Sequence, residues 1–330
     1  MADYYTTLEV HPRASHEVIK AAYLSLAKQH HENQPLMKRL NAAFEVLNDP
    51  KRRAEYDKGA GKVKGKTVGP YRILSQIAEG GFGTTYKGEH ILTGAPVCIK
   101  HALRVSPQDE ELLLEEAKTI WDLRHHGIPA MRDVIRMEDG SMSLVLSYIP
   151  GPTLAQIVEE HGDLDPEHVC WIAARCLNIL QYLHERHVIH GDVKPQNIII
   201  PPDEKNPKVA SHLISLVDYG LSIIKPKADT SNKGFTPYFA APEQVNGGTI
   251  LPETDFYGLG MTMIFALGGD IGSKRVPEHT PDSVCRFIKK LIIHDVLSRP
   301  TDAETLQDAL REVRRNAFGR SESGMKPLKV

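Results

Sequence analysis

Between two apolar runs, Val188-Ile189 and Ile198-Ile199-Ile200, the chain reads His190-Gly191-Asp192-Val193-Lys194-Pro195-Gln196-Asn197. A carboxylate, an ammonium and an amide fall within six positions, in a loop flanked by β-like segments. Burying such groups is costly unless they pair with one another, so any fold that accepts this stretch is organised around it. About twenty residues on, Leu216-Val217-Asp218-Tyr219-Gly220 ends another apolar run in an acid followed by a glycine. Asp192, Asn197 and Asp218 supply oxygen atoms of the kind that Mg²⁺ and a nucleophilic hydroxyl need. A buried polar turn would explain any one of these pieces, but not all of them in order.

Upstream, Ile77-Ala78-Glu79-Gly80-Gly81-Phe82-Gly83-Thr84-Thr85-Tyr86 sets a glycine-rich turn between two β-like runs. Glycines let a backbone approach polyphosphate closely with its N–H groups aimed at it, although an ordinary tight turn looks the same. Seventeen residues after Gly83, the apolar run Val97-Cys98-Ile99 ends in Lys100. A lysine at a buried-strand position requires a counter-charge. The amphipathic stretch 109–123 offers Glu116, four residues before Ile120 on its apolar face. A solvated lysine and a solvated glutamate fit these residues equally well.

The first 58 residues have another rhythm. After Ser15, a capping residue, Ile19, Ala22, Tyr23, Leu26 and Ala27 fall on one helical face. Met37, Leu40, Phe44 and Leu47 do the same beyond the polar loop 30–35, and two such helices would bury both stripes against each other. Asn48-Asp49-Pro50 stops the second helix. The segment 59–66 is built of Gly and Lys with no hydrophobic period and reads as a flexible linker. From Tyr71 the pattern turns to short β-like runs at 71–77, 84–89, 96–101 and 143–148, with helical stretches, notably 166–185, dominating later. Strands first and helices afterwards predict an α+β domain of two lobes.

A length of 330 residues suits about two domains. The 40 Lys and Arg nearly cancel the 42 Asp and Glu, which argues against a nucleic-acid partner. The Gly/Lys segment is locally basic. Four cysteines without a CxxC pair read as buried or half-buried thiols in a reducing compartment. His30 and His31 lack the neighbouring acid or cysteine spacing of a metal site and read as solvated. No apolar leader follows Met1, and the most apolar stretch, 261–267, falls far short of the ~20 residues of a membrane span. A cytoplasmic protein with no membrane partner is expected.

Taken in order, residues ~71–316 resemble a Hanks-type, bacterial-style Ser/Thr protein kinase. The likeness continues through Thr236-Pro237-Tyr238-Phe239-Ala240-Ala241-Pro242-Glu243, Asp255 and Arg299. It implies that ATP is gripped between two lobes, with Mg²⁺, or Mn²⁺ in its place, held by Asn197 and Asp218. Asp192 would accept or orient the hydroxyl proton of a protein Ser/Thr, and Lys194 would touch the γ-phosphate. Lys100 would bind the α- and β-phosphates and pair with Glu116. Ala78, Gly80, Gly83 and Thr85 would cover the nucleotide, with Leu146 as gatekeeper and Tyr148 beside the adenine. Glu243 with Arg299 would form a structural ion pair, and Asp255 would hold the catalytic-loop backbone.

Some positions depart from that pattern. Ala78 stands for the first glycine and Thr85 for a valine, which predicts weakened nucleotide binding. Gly191 stands for the arginine that gathers a phosphorylated activation loop, so activation through Thr230 or Ser231 is not expected. Tyr219 for Phe is mild. The stretch 267–281 is short where the family carries helix G, which bears on protein-substrate docking.

Residues ~3–58 resemble a J domain through Asp3-Tyr4-Tyr5, the stretch 40–50, Arg53 and Tyr56-Asp57. The defining His-Pro-Asp aligns with His31-Glu32-Asn33, and Tyr23-Leu24-Ser25-Leu26 stands where basic residues contact an Hsp70. Stimulation of an Hsp70 ATPase is therefore not expected, and the module reads as a docking or regulatory element for an unidentified partner. The predicted architecture is a bilobal protein-kinase-like fold preceded by a small all-α J-like domain. Its divisions are a J-like domain at 1–58, a linker at 59–69, a kinase domain at 70–316 with lobes at about 70–149 and 150–316, and a loose tail at 317–330. The rival readings are a pseudokinase scaffold, a J-type co-chaperone platform and a small-molecule kinase.

Overall fold

The computed structural model describes residues 4–8, 10, 14–29, 34–49, 53, 66–80, 83–102, 107–137, 140–226, 234–320 and 325–330. The His31-Glu32-Asn33 triplet, Tyr56, Asp57, the linker through residue 65, Gly81, Phe82, Thr230 and Ser231 lie outside the described residues. The chain divides into two compact units, residues 1–110 with 132–148 and residues 111–131 with 149–330.

In the first unit, helices α1 (Tyr4–Thr7), α2 (His16–Gln29) and α3 (Gln34–Leu47) share a core of Tyr5, Leu8, Ile19, Leu26, Leu40, Ala43 and Leu47. The two predicted stripes do meet: the Tyr23 and Phe44 rings stack at 4.1 Å. Ser15 caps α2, its Oγ accepting from Val18 N at 3.4 Å. The periodicity does not reveal α1, because four residues carry too little of a helical repeat. Arg53 ties it down, donating to Tyr5 Oη at 2.9 Å and to Ala14 O at 2.9 Å.

The same unit holds a six-stranded sheet in the order β1-β2-β3-β4-β6-β5. Its strands are β1 (Thr67–Val68), β2 (Tyr71–Gly80), β3 (Gly83–His90), β4 (Pro96–Ala102), β5 (Met131–Arg136) and β6 (Met142–Ser147). The four predicted runs are β2, β3, β4 and β6. The short β1 and the half-buried β5 lack the alternation that would announce them. Tyr86, Ile99 and Val145 lie side by side across β3, β4 and β6, with Tyr71, Ile73 and Val97 in the same buried cluster.

Helix α4 (Pro107–Trp121) crosses the division between the units. The second unit contains α5 (Leu154–His161), α6 (Pro166–His184), β7 (Val188–Ile189), β8 (Ile198–Ile199), β9 (Ser215–Leu216), β10 (Ile223–Ile224), α7 (Pro242–Val245), α8 (Pro252–Ala266), α9 (Asp282–Leu291) and α10 (Ala303–Phe318). Asp165 caps α6, with Pro166 at its first position. Helix α8 is buried on nearly all sides, from Phe256 to Ala266, as its apolar composition dictates. Gly258 lets it come close to the stretch 192–194, since a Cβ there would lie 2.7 Å from Val193 O.

Residues 267–281 contain no helix. Among the described residues, no helix is long and apolar enough to cross a membrane. Cys170 and Cys176 are buried free thiols, pushed up to about 12 by loss of solvent, while Cys98 and Cys285 are half-buried.

The predicted loose tail is corrected by the structure. Arg320 grips Glu167 with two bonds of 2.8 and 2.6 Å, and Leu328 is buried. Ala210 N donates to Leu328 O at 2.7 Å, and Val330 N to Lys208 O at 3.3 Å. A short extended segment held by backbone bonds and one apolar anchor has no periodicity by which a sequence could betray it.

Candidate active site

Strand pairing in the first unit assembles one set of the predicted residues. Ala78 pairs with Thr85, Thr85 with Lys100, and Lys100 with Leu144, a single row across four strands. The next row on that face is Lys87, Cys98 and Leu146. Because side chains alternate along a strand, this face is opposite the one that buries Tyr86, Ile99 and Val145. Gly80 pairs with Gly83, closing the glycine-rich hairpin. Ala78 is a paired strand residue and is not among those with positive φ, so losing the glycine there costs no backbone strain. Tyr148 packs its ring 4.7 Å from Lys87 Nζ.

The second unit assembles the other set. Lys194 Nζ donates to Asp192 Oδ2 at 2.6 Å and to Thr236 Oγ1 at 2.7 Å. The Thr236 hydroxyl in turn donates to Asp192 Oδ1 at 2.7 Å. Asn197 Nδ2 donates to Asp192 O at 2.9 Å and to Asp192 Oδ2 at 3.0 Å. Both oxygens of the Asp192 carboxylate are therefore held by donors.

With Nδ2 engaged, Oδ1 is the side-chain atom that Asn197 retains for a hard cation. Val217 N donates to Asn197 O at 2.9 Å, which ties the Asn197 end of β8 to the segment leading into Asp218. Asp218 itself adopts φ +69°, uncommon for a residue with a side chain. A Cβ on Gly220 would lie 3.5 Å from Asp218 Oδ1 and 3.6 Å from Glu116 Oε2. These are ordinary contact distances, so two carboxylates flank this position without excluding a Cβ from it. An amide oxygen and a carboxylate on adjoining segments are a donor set suited to Mg²⁺, which completes its shell with water and phosphate oxygens. Among the described residues, no group of three or more His, Cys, Asp or Glu could hold a metal without such help.

The loop is held from below by Asp255. Its Oδ2 accepts from His190 N at 2.9 Å, and its Oδ1 from Gly191 N at 2.7 Å. His184 Nε2 lies 2.8 Å from the same Oδ2, a contact that nothing in the local sequence around His184 announces. Ser222 Oγ donates to His190 O at 3.0 Å, and Gln244 Nε2 to Gly191 O at 2.8 Å. Both residues escape sequence reasoning, Gln244 by a single position beyond the Ala241-Pro242-Glu243 pattern. Glu243 is buried against Arg299 through two bonds of 2.7 and 2.8 Å.

His190 is fully buried. Asp192 N donates to its Nδ1 at 3.2 Å, so Nε2, 3.2 Å from Val217 O, carries the proton of a neutral ring. Loss of solvent pushes the imidazole below its ordinary value against the opposing pull of Asp255, Asp192 and Asp218. In acid the unfolded chain then takes up a proton that the folded one refuses. Stability is expected to fall as pH drops below about 6.5, by up to about 1.4 kcal/mol per pH unit for this one group. Melting temperatures on either side of that pH check the slope, and a slope unchanged in His190→Gln removes the assignment.

A model of the protein kinase domain matches residues 71–310, and a model of the DnaJ domain matches residues 3–57. The chain is 25% identical over 276 residues to serine/threonine-protein kinase pkn3 of Myxococcus xanthus, covering 75% of this chain and 50% of that protein. It is 30% identical over 207 residues to cyclin-dependent kinase 14 of Xenopus tropicalis, covering 60% of this chain and 46% of the relative. The same protein from Oryctolagus cuniculus is also 30% identical over 207 residues, with 42% of it covered. The chain spans half or less of the length of these relatives.

Proposed function

The chain belongs to the protein kinase family, with a DnaJ domain ahead of its kinase domain, and from that premise we propose that it is an ATP-dependent serine/threonine protein kinase of the cytoplasm. The observation that carries the reading is the closed network of Asp192, Lys194, Thr236 and Asn197, whose carboxylate is doubly held and whose cation sits 2.6 Å away. Phosphoryl transfer asks a protein for positioning and charge neutralisation more than for covalent chemistry.

In this reading Asp192 receives or orients the acceptor hydroxyl, and Lys194 neutralises charge on the γ-phosphate. Lys100 takes the α- and β-phosphates, beneath a hairpin carrying Ala78, Gly80, Gly83 and Thr85. Glu116 serves as its counter-charge. Leu146 and Tyr148 face the adenine. Asn197 and Asp218 are the residues we assign to Mg²⁺ or Mn²⁺, which when bound would offset phosphate charge. The J-like module is assigned a docking or regulatory role. The missing His-Pro-Asp acid and the uncharged Tyr23-Leu24-Ser25-Leu26 argue against Hsp70 stimulation.

The test is ³²P incorporation from [γ-³²P]ATP with Mg²⁺ or Mn²⁺, comparing the protein with Asp218→Ala and Lys100→Met. Each substitution is expected to lower transfer about a hundredfold or more. Equal labelling in all three proteins would leave a pseudokinase scaffold as the better reading. One observation favours a second reading: the absence of a helix between Ala266 and Asp282 removes a docking element for protein substrates. A small-molecule acceptor would then show as turnover on metabolites with none on proteins.

A further inference from the structure

Gly191 poses a mechanical problem for the residue after it. Its φ is +76°, and a Cβ there would meet Leu221 O at 2.8 Å, so the position excludes a side chain. Glycine is also the residue with the greatest backbone freedom, and it stands directly before Asp192. Whatever fixes the peptide plane between residues 191 and 192 fixes the direction in which the Asp192 side chain leaves the backbone.

Two bonds hold that plane, one on each polar atom. Asp192 N donates to His190 Nδ1 at 3.2 Å, and Gly191 O accepts from Gln244 Nε2 at 2.8 Å. We propose that Gln244 is a positioning residue for phosphoryl transfer, a strut that holds the Gly191–Asp192 peptide and through it the Asp192 carboxylate. The proposal rests on the kinase reading above.

The strut is anchored at its far end. Gln244 Oε1 accepts from Ala241 N at 3.0 Å, at the start of the short helix α7. An N–H can only be met by the oxygen of the amide, so Nε2 must be the atom facing Gly191 O. Gln244 is buried. Eight residues earlier, Thr236 bonds to Asp192 and Lys194. The stretch from Thr236 to Gln244 is therefore fastened to the catalytic loop at both ends by neutral side chains, with no need of a charged contact at residue 191. A small cavity lined by Gly191, Asp192, Thr236 and Gln244 lies between the two fastenings.

The substitution Gln244→Glu isolates the strut. It keeps the size of the side chain and the oxygen that serves Ala241 N, but turns an oxygen toward Gly191 O where a donor stood. Gln244→Met removes both bonds without adding charge and serves where Gln244→Glu does not fold. For either variant, turnover of MgATP with casein as acceptor is expected to lose about ten- to hundredfold in kcat, with KM for ATP within about twofold of the parent. Hydrogen exchange over residues 188–194 should quicken in both variants. An unchanged kcat with unchanged exchange overturns the inference, as does a rise in KM that accounts for the whole loss. Should the parent protein transfer nothing to casein, to water or to any metabolite offered, the kinase reading falls. The exchange arm then decides alone: faster exchange upholds the strut, unaltered exchange refutes it.

Discussion

Asp192→Asn should lower the rate of phosphoryl transfer by about a thousandfold, within the range general-base contributions span, while the protein still unfolds cooperatively. The geometry explains why so small a change has so large a consequence. Asp192 Oδ1 accepts from Thr236, and Oδ2 accepts from both Lys194 and Asn197. An amide has one acceptor oxygen and one donor nitrogen, so whichever way it turns, a donor meets a donor. The counter-charge of Lys194 disappears with it. Steady-state turnover and a thermal melt on the same sample separate the two effects, and near-parental turnover would remove Asp192 from the chemistry.

Arg299→Leu should act on stability instead. Arg299 and Glu243 are both buried, and the guanidinium also donates to the carbonyls of Ile293, His294 and Glu253. Its Cζ sits 4.9 Å from the centroid of the Tyr257 ring. Removing the cation strands the Glu243 carboxylate, whose remaining hydrogen-bond donor among the described residues is the Thr254 hydroxyl at 2.8 Å. Breaking a buried pair on one side costs about 3–5 kcal/mol, which for a domain of this size lowers the melting temperature by roughly 6–20 °C. The double change Glu243→Leu with Arg299→Leu should recover part of that loss, because no lone charge remains buried. A melting temperature unmoved by the single change would contradict the geometry.

The network of Asp192, Lys194 and Asn197 was legible in the sequence because these residues are chemically conspicuous where they stand. A lysine two positions from an acid, inside apolar strands, has few bland explanations. The helix cores of the first unit were legible for a different reason: Ile19, Leu26, Leu40 and Leu47 repeat with the helical period. What escaped was whatever lacks a local signature. Strand β5 mixes half-buried and exposed positions, α1 is one turn long, and residues 325–330 dock through backbone groups that every residue possesses.

By itself the sequence determined the chemical inventory and the faces of the elements: which positions carry charge, which stripes must be buried, and where the chain may turn. Tertiary structure alone decided which distant groups meet. Thr236 reaches Asp192 across 44 positions, Gln244 reaches Gly191 across 53, and Arg299 reaches Glu243 across 56. A hydrophobic repeat encodes only the direction in which an element turns its apolar side. Hydrogen bonds are short and directional, so their partners are settled only when packing has brought the segments together.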